Sequence, residues 1–284
     1  MRLRKVVKKL PGGFAMQLGC AAFVLLAAVT GSLSAVAQAP PITGIAHLAF
    51  RVQNLDAERA FFRQLGFEES FVLPSPDNPS EVFIKINDRQ FIELYPQTVP
   101  SQPLGWRHVC YESGALNSLQ ALYAARGLKP SAVQKAGAGN LLFSLYDPEG
   151  RVTEFTQYMP GSRHTLDRGK HLGRQRIATE LLGFSFPSAN LAADRQFYTA
   201  GLGFEQQKDG SRIRLHLPSA PDLRIALHAA KPGDRIQAIF GVSHVPATAS
   251  ALRHRDISAQ KLRSAVSVQD PNGNLFVFVA DTAR

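Results

Sequence analysis

Two stretches of the chain repeat one another, and this repeat constrains the fold more than any other feature. NLDAERAFFRQLGFEE begins at Asn54, and NLAADRQFYTAGLGFEQ begins at Asn190. Each opens with an asparagine suited to cap a helix, continues with an acidic first turn and an aromatic pair, and closes on Leu-Gly-Phe, where Gly66 and Gly203 can end the helix. Each helix follows a strand-like run and precedes three more, which predicts a strand–helix–three-strand module.

Weaker repeats extend this pattern along the chain. SLQALYAARG (118–127) matches TASALRHRDI (248–257), and DPEGRVTEF (147–155) matches DPNGNLFVF (270–278). The sequence therefore predicts an α+β fold of four tandem βαβββ modules, paired into two domains. We expect the first domain at 42–158, a linker at 159–176 and the second domain at 177–281. The basic run 162–176 within the linker is expected to be solvated.

One histidine or glutamate lies in the first and in the last strand of both modules of the first domain. These residues are His47, Glu93, His108 and Glu154, separated by 46, 15 and 46 residues. Such spacing indicates equivalent positions in two repeated units, which a pseudo-twofold axis would bring together. Two imidazoles and two carboxylates suit one divalent metal (Ni, Zn, Co, Mn or Fe) with positions left open for water.

The second domain provides an internal control. Superposing its repeats on the first domain places Gly183, Ala226, Ala238 and Val277 opposite the four candidate ligands. None of these residues can hold a metal through its side chain. We therefore expect a degenerate second domain that keeps the fold without a metal site.

The segments HLAFRV, LGFEE, FIEL, RHVCYE and DPEGRVTEF resemble the vicinal-oxygen-chelate superfamily, and most closely glyoxalase I. The resemblance implies a metal-dependent enzyme whose four metal ligands are His47, Glu93, His108 and Glu154. It also implies that Arg51 binds a carboxylate of the substrate. Gln97 is a second candidate for substrate binding, since it stands where that family usually has an asparagine. Leu104 replaces a second substrate arginine, and Arg107, close by, is expected to face elsewhere.

The expected reaction is metal-assisted proton transfer on a small oxygen-chelating substrate, as in a glyoxalase-like lyase or isomerase. Glu154 is the first candidate for the base, with Glu93 as its symmetry partner. One alternative is an extradiol ring-cleaving dioxygenase, which needs two histidines and one carboxylate around Fe(II). Another is a protein that binds a small ligand without turnover.

Residues 1–39 are expected to be a signal peptide. They combine a basic start, a short apolar run at 20–29 and Ala-x-Ala sites that suit cleavage. The protein is then periplasmic or secreted, with no stable membrane insertion after cleavage. Cys110 is the sole cysteine left, so we expect no internal disulfide.

The net charge of the chain after the signal segment limits the kinds of binding partner that we expect. Of 32 Lys and Arg residues, five lie in the signal segment, which leaves 27 against 22 Asp and Glu and a net charge of +5. No dense basic cluster is interleaved with aromatic residues, so we expect no nucleic-acid partner. The expected partner is a small-molecule substrate, and the expected assembly is a monomer or a homodimer.

Overall fold

A computed structural model describes residues 40–75, 78–209 and 212–281. The signal peptide expected at 1–39 lies outside the described residues. Among the helices that are described, none is long and apolar enough to cross a membrane.

The first half of the described chain forms one curled, eight-stranded sheet. Its elements are β1 (Ile42–Val52), α1 (Leu55–Gln64), β2 (Glu68–Ser75), β3 (Asn78–Lys85), β4 (Phe91–Pro96), β5 (Gly105–Ser113), α2 (Leu116–Ala125), β6 (Gln134–Lys135), β7 (Leu141–Tyr146) and β8 (Val152–Gln157). The strand order is β2-β3-β4-β1-β5-β8-β7-β6. The first strands of the two modules, β1 and β5, pair antiparallel at the centre, and each pairs parallel with the last strand of its own module.

The second half repeats this arrangement after a short helix, α3 (Arg163–Leu166). Its elements are β9 (Glu180–Ser188), α4 (Leu191–Gln196), a π-helical turn (Phe197–Gly201), β10 (Glu205–Asp209), β11 (Arg212–Leu217), β12 (Ala220–Ala229), β13 (Gln237–Val242), α5 (Val245–His254), β14 (Ala259–Lys261), β15 (Ala265–Gln269) and β16 (Leu275–Ala280). The strand order is β10-β11-β12-β9-β13-β16-β15-β14. The expected α+β fold of tandem βαβββ modules is confirmed.

The repeated helices begin as the sequence indicates. The Asn54 side chain accepts a hydrogen bond from the Ala57 amide at 3.0 Å, and the Asn190 side chain accepts one from Ala193 at 3.2 Å. The second copy has one residue more before its Leu-Gly-Phe. The π-helical turn absorbs it, with the Leu202 amide donating to the Phe197 carbonyl five residues earlier.

One apolar core joins the two halves. Phe276 of β16 packs against Phe50, Phe61 and Phe62 of the first half, and Trp106 packs against Phe184. Alternation along β1 sends Leu48, Phe50 and Val52 into this core and leaves His47, Ala49 and Arg51 on the opposite face. The core therefore fixes which face of the first sheet carries the polar residues.

The expectation of a solvated linker is wrong for part of 162–176. His164 of α3 is buried among Phe71, Phe83, Phe91 and Tyr158. Three residues later, Asp167 accepts a hydrogen bond from the fully buried Lys85 at 2.8 Å. The linker thus packs onto the polar face of the first sheet and closes one end of it.

Candidate metal centre

The four candidate ligands lie on the four central strands of the first sheet, in the order β4, β1, β5 and β8. Glu93 pairs with Ala49, two residues after His47, and Glu154 pairs with Cys110, two residues after His108. The two modules therefore present their histidine and glutamate at equivalent positions. This register brings the four side chains to one place on the sheet.

Their ligand atoms lie close together. The two Nε2 atoms of His47 and His108 are 3.0 Å apart, and each is 3.4 Å from Oε2 of Glu93. Oε2 of Glu154 lies 3.5 Å from Nε2 of His108. Ligand atoms that bind one ion at about 2.0–2.2 Å are separated by about 3–3.5 Å, so these spacings fit a shared metal.

Burial keeps both histidines in the form that a metal requires. It lowers the pKa of His47 to about 3, against a smaller opposing effect of Glu93, and it also lowers the pKa of His108. Both imidazoles are therefore neutral at neutral pH and keep a nitrogen lone pair for coordination. The second nitrogen of His47, Nδ1, is buried and has no hydrogen-bond partner among the described residues.

The two glutamates differ in their surroundings. The Glu93 side chain is 6% exposed, and Oε2 accepts a hydrogen bond from the Tyr95 hydroxyl at 2.9 Å. The Glu154 side chain is 21% exposed, and burial raises its pKa. Glu93 is thus held by a hydrogen bond, whereas Glu154 lies at the edge of the cluster and is the more exposed of the two.

Cys110 also lies near the cluster. Its Sγ, a carboxylate oxygen of Glu154 and a ring nitrogen of His47 lie within 4.8 Å of one another. The thiol is fully buried, and burial raises its pKa well above the ordinary value. It therefore stays protonated at neutral pH, which disfavours it as a ligand relative to the histidines.

A β-bulge brings Arg107 to the same face of the sheet. Ala49 pairs with His108 but the next residue, Phe50, pairs with Trp106, so Arg107 is the extra residue. Its guanidinium carbon lies 4.0 Å from the centre of the Tyr95 ring. The expectation that Arg107 faces elsewhere is wrong, because period-two alternation does not hold across the bulge.

The two residues expected to bind substrate have different surroundings. Arg51 lies at the same end of the sheet as Tyr95 and Arg107, and one of its nitrogens donates to the Pro103 carbonyl at 3.2 Å. The side-chain amide nitrogen of Gln97 (Nε2) donates hydrogen bonds to the backbone carbonyls of Pro100 and Gln102, which stabilises the loop after β4. A substrate role for Gln97 would require it to exchange these bonds.

Among the described residues, no group of metal-ligating side chains like that of the first sheet lies on the second sheet. Ala226 pairs with Ser185, which lies two residues after Gly183. In the same way, Glu93 pairs with Ala49, which lies two residues after His47. Ile239 pairs with both Gly183 and Val277, as Cys110 pairs with both His47 and Glu154. This register makes Gln237, not Ala238, the counterpart of His108. Ala238 instead matches Val109 and lies in the core.

Comparison with solved structures yields relatives of similar architecture at low identity. The 2,3-dioxygenase LapB from Pseudomonas sp. KL28 has a TM-score of 0.67 at 16% identity over 85% of this chain and 93% of its own. A Mn(II)-bound glyoxalase from Novosphingobium aromaticivorans has a TM-score of 0.66 at 18% identity over 84% of this chain and 82% of its own. A catechol 2,3-dioxygenase has a TM-score of 0.66 at 17% identity over 84% of this chain and 88% of its own. No protein-family model matches the chain, and no curated protein matches it.

These likenesses show the fold. The chain has the vicinal-oxygen-chelate fold, with two domains of paired βαβββ modules, as in the two-domain dioxygenases. Both dioxygenases and a glyoxalase use it, so the fold alone does not select a reaction.

Proposed function

We propose that the protein is a metal-dependent enzyme that acts on a small oxygen-chelating substrate by proton transfer, as a glyoxalase I-like lyase or isomerase. The observation that carries this proposal is the convergence of His47, Glu93 and His108, with Glu154 at the edge of the cluster. One divalent ion (Ni, Zn, Co, Mn or Fe) fits this set of two nitrogens and two oxygens. When bound, the ion would polarise a carbonyl oxygen of the substrate.

The protein's own residues then have distinct roles. Glu154 takes a proton from the hydroxyl-bearing carbon next to the carbonyl and returns it to the former carbonyl carbon, while the hydroxyl proton moves to the former carbonyl oxygen. Its greater exposure and its raised pKa both suit a group that must move and change protonation state. Glu93, held by the Tyr95 hydroxyl, stays in place while Glu154 acts.

An extradiol dioxygenase is the second candidate, and a specific observation favours it. His47, His108 and Glu93 already form a set of two histidines and one carboxylate, which is the donor set of nonheme Fe(II) oxygenases. Two of the solved structures described above are 2,3-dioxygenases. In that reaction Glu154 would be an accessory residue instead of the base.

A substrate panel on metal-loaded protein separates these activities. We expect one bound metal per chain and turnover of α-oxo thiohemiacetals without oxygen consumption. Oxygen-dependent cleavage of catechols would establish the dioxygenase instead. Substrate binding without turnover in either assay would support a binding protein, and protein that retains no divalent metal would contradict both enzymes.

We also propose that the protein is exported to the periplasm or secreted, and acts as a monomer or a homodimer on a small molecule. The basic start and the apolar run within 1–39 support export. Mass spectrometry of the native protein should find an N-terminus near Gln38 or Pro40. Intact Met1 in the native protein would contradict processing.

A further inference from the structure

The positive charge of the chain is concentrated in the linker between the two domains. From Pro40 onwards the chain has 27 basic and 22 acidic residues, a net charge of +5. The segment 162–176 contains five basic residues and one acidic residue, Asp167, and so accounts for +4 of that total. The rest of the chain from Pro40 is therefore close to neutral.

The linker is fixed to the first domain at two points. His164 and Asp167 are buried against the first sheet. Further along, Gly173 packs so closely against Gly66 that a Cβ at Gly173 would overlap the Gly66 carbonyl oxygen. The basic residues of the linker are therefore displayed on an anchored segment, in contrast to those of a free loop.

Four cations of this segment are exposed, and none of them forms a salt bridge or a side-chain hydrogen bond with the described residues: Arg163, Arg168, Lys170 and Arg174. The acidic groups close to them are already paired. The carboxylates of Asp167 and Asp88 lie 2.8 and 2.9 Å from the buried ammonium of Lys85. Asp88, whose charge also interacts with Arg168, and Lys85 cancel each other, so they leave the net charge of the linker at +4.

A leucine lies exposed among these cations. Leu166 is 61% exposed, and it lies in α3 three residues after Arg163. Residues three apart in a helix are neighbours on its surface, so Leu166 and Arg163 share a face. Any polyanion would attract the cations, but the leucine is buried only by a partner with an apolar layer beneath its negative charges.

We propose that the linker surface formed by Arg163, Leu166, Arg168, Lys170 and Arg174 binds peripherally to a membrane that carries anionic phospholipid headgroups. The cations contact the phosphates, and Leu166 enters the boundary between headgroups and acyl chains. The protein lies on the membrane in this state and inserts no spanning segment. The inference does not depend on the metal site, so it holds whichever reaction the protein catalyses.

The test measures binding to lipid vesicles by co-sedimentation. It uses the chain Gln38–Arg284, which forms one compact unit, because the basic and apolar residues of 1–39 would themselves attract a membrane. Vesicles of phosphatidylcholine alone are compared with vesicles that contain about one third phosphatidylglycerol. We expect at least about 10-fold tighter binding to the anionic vesicles, and a loss of affinity as salt is raised from about 0.05 M to about 0.3 M.

Two variants of equal net charge locate the binding surface. The linker variant combines Arg163→Gln, Arg168→Gln, Lys170→Gln and Arg174→Gln. Each basic residue near an anionic surface contributes about fivefold to the affinity, so this variant should bind at least about 50-fold more weakly than wild type. The control variant removes four exposed cations elsewhere and should bind within about threefold of wild type, since distant charges are screened. It combines Lys129→Gln, Arg195→Gln, Lys261→Gln and Arg263→Gln.

Leu166→Ser tests the apolar contact. It removes the exposed leucine without changing the charge, so binding should weaken by at least about threefold while the salt dependence stays as in wild type. Full affinity in this variant would assign the linker surface to a polyanion without an apolar layer and would overturn the membrane inference.

The remaining outcomes are equally decisive. Wild type that binds neither kind of vesicle, or binds both equally, would overturn the inference, even if it bound a soluble polyanion such as heparin. Equal losses in the linker variant and the control variant would also overturn it, because net charge alone would then explain binding. If the linker variant does not fold, Arg163→Gln and Arg174→Gln are measured singly. Each should weaken binding by about fivefold, and no change in either would contradict the inference.

Discussion

His47 and His108 place their Nε2 atoms 3.0 Å apart, although 61 residues separate them in the chain. The sheet brings them together because the first strands of the two modules pair antiparallel at its centre. Burial keeps both imidazoles neutral, and Glu93 lies 3.4 Å from each nitrogen. Two neutral nitrogens and a carboxylate at these spacings form a site that a divalent cation would stabilise.

The histidines should control metal retention. We expect His47→Ala to reduce metal content from about one equivalent to below about 0.2 after dialysis, because it removes one of two nitrogen ligands. His216→Ala, at a partly exposed histidine of the second sheet, is the control and should retain wild-type metal. Elemental analysis of both variants measures the result. Full metal content in His47→Ala would remove that residue from the site.

Glu154 should separate metal binding from turnover. We expect Glu154→Gln to keep at least about half of the metal, because three ligands remain and an amide oxygen replaces the carboxylate. Proton transfer should fall by about 100-fold or more, since general-base catalysis contributes about 10²–10⁴-fold. Metal content and rate measured on the same preparation provide the check. Normal turnover would exclude Glu154 as the base, and loss limited to Fe(II) retention would favour the dioxygenase.

The module architecture and the positions of the four candidate ligands could be predicted from the sequence because the modules repeat. The equal spacing in sequence corresponds to equivalent positions in the sheet, because both modules have the same strand register. In each module the glutamate pairs with the residue two after the histidine, as for His47 with Glu93 and His108 with Glu154. The prediction for Arg107 is wrong because alternation shifts by one residue where β5 bulges. The prediction for Ala238 is wrong because the alignment of the repeats is one residue out of register with the strand pairing. No residue in the sequence of β1 or β5 indicates that their pairing shifts register.

The prediction of a solvated linker is wrong for another reason. A run rich in Arg, His and Gly is usually solvated, and nothing local indicates that His164 and Asp167 are buried. Their burial depends on Lys85 and on Phe71, Phe83 and Phe91, which lie 73–93 residues earlier in the chain. Only the folded sheet brings these groups together.

The buried pair between Lys85 and Asp167 should stabilise this closed end. Lys85 is fully buried, and its ammonium donates to the Asp167 carboxylate at 2.8 Å and to the Asp167 carbonyl at 2.6 Å. Lys85→Met removes the buried ammonium from Asp167 and leaves its carboxylate with His171 at 2.6 Å, and we expect it to lower the free energy of unfolding by about 3–5 kcal/mol. Urea unfolding measures the change.

An exposed pair of equal length is the control for that experiment. Arg89 and Glu112 also lie 2.8 Å apart, but the Arg89 side chain is 53% exposed. Arg89→Met should cost about 1 kcal/mol or less. Similar costs for both variants would show that the linker contact contributes no more than a surface pair.

Two related contacts between the halves differ in whether an arginine faces the helix carboxylate, and this difference leads to a pH prediction. In one, Arg151, which directly follows the turn at 147–150, donates to Asp194 of α4 at 2.6 Å. In the other, the turn at 270–273 meets Glu58 of α1, but Asn274 occupies the position of Arg151. Glu58 is fully buried, it contacts Asn272, and burial followed by the charge of Asp270 raises its pKa to about 8.

Stability should therefore decrease as the solution becomes alkaline. The folded pKa of Glu58 lies above the unfolded value of about 4.3, so the folded state binds more protons between these values. The contribution of the protonated carboxyl is complete below pH ~4 and is lost as the pH rises through about 8. The glutamine of Glu58→Gln stays neutral at every pH. We therefore expect the difference in free energy of unfolding between this variant and wild type to shift by about 1–3 kcal/mol in favour of the variant from pH 5 to pH 9. Urea unfolding of both proteins at pH 5, 7 and 9 measures this, and a difference that is constant across the three values would show that Glu58 does not take up a proton on folding.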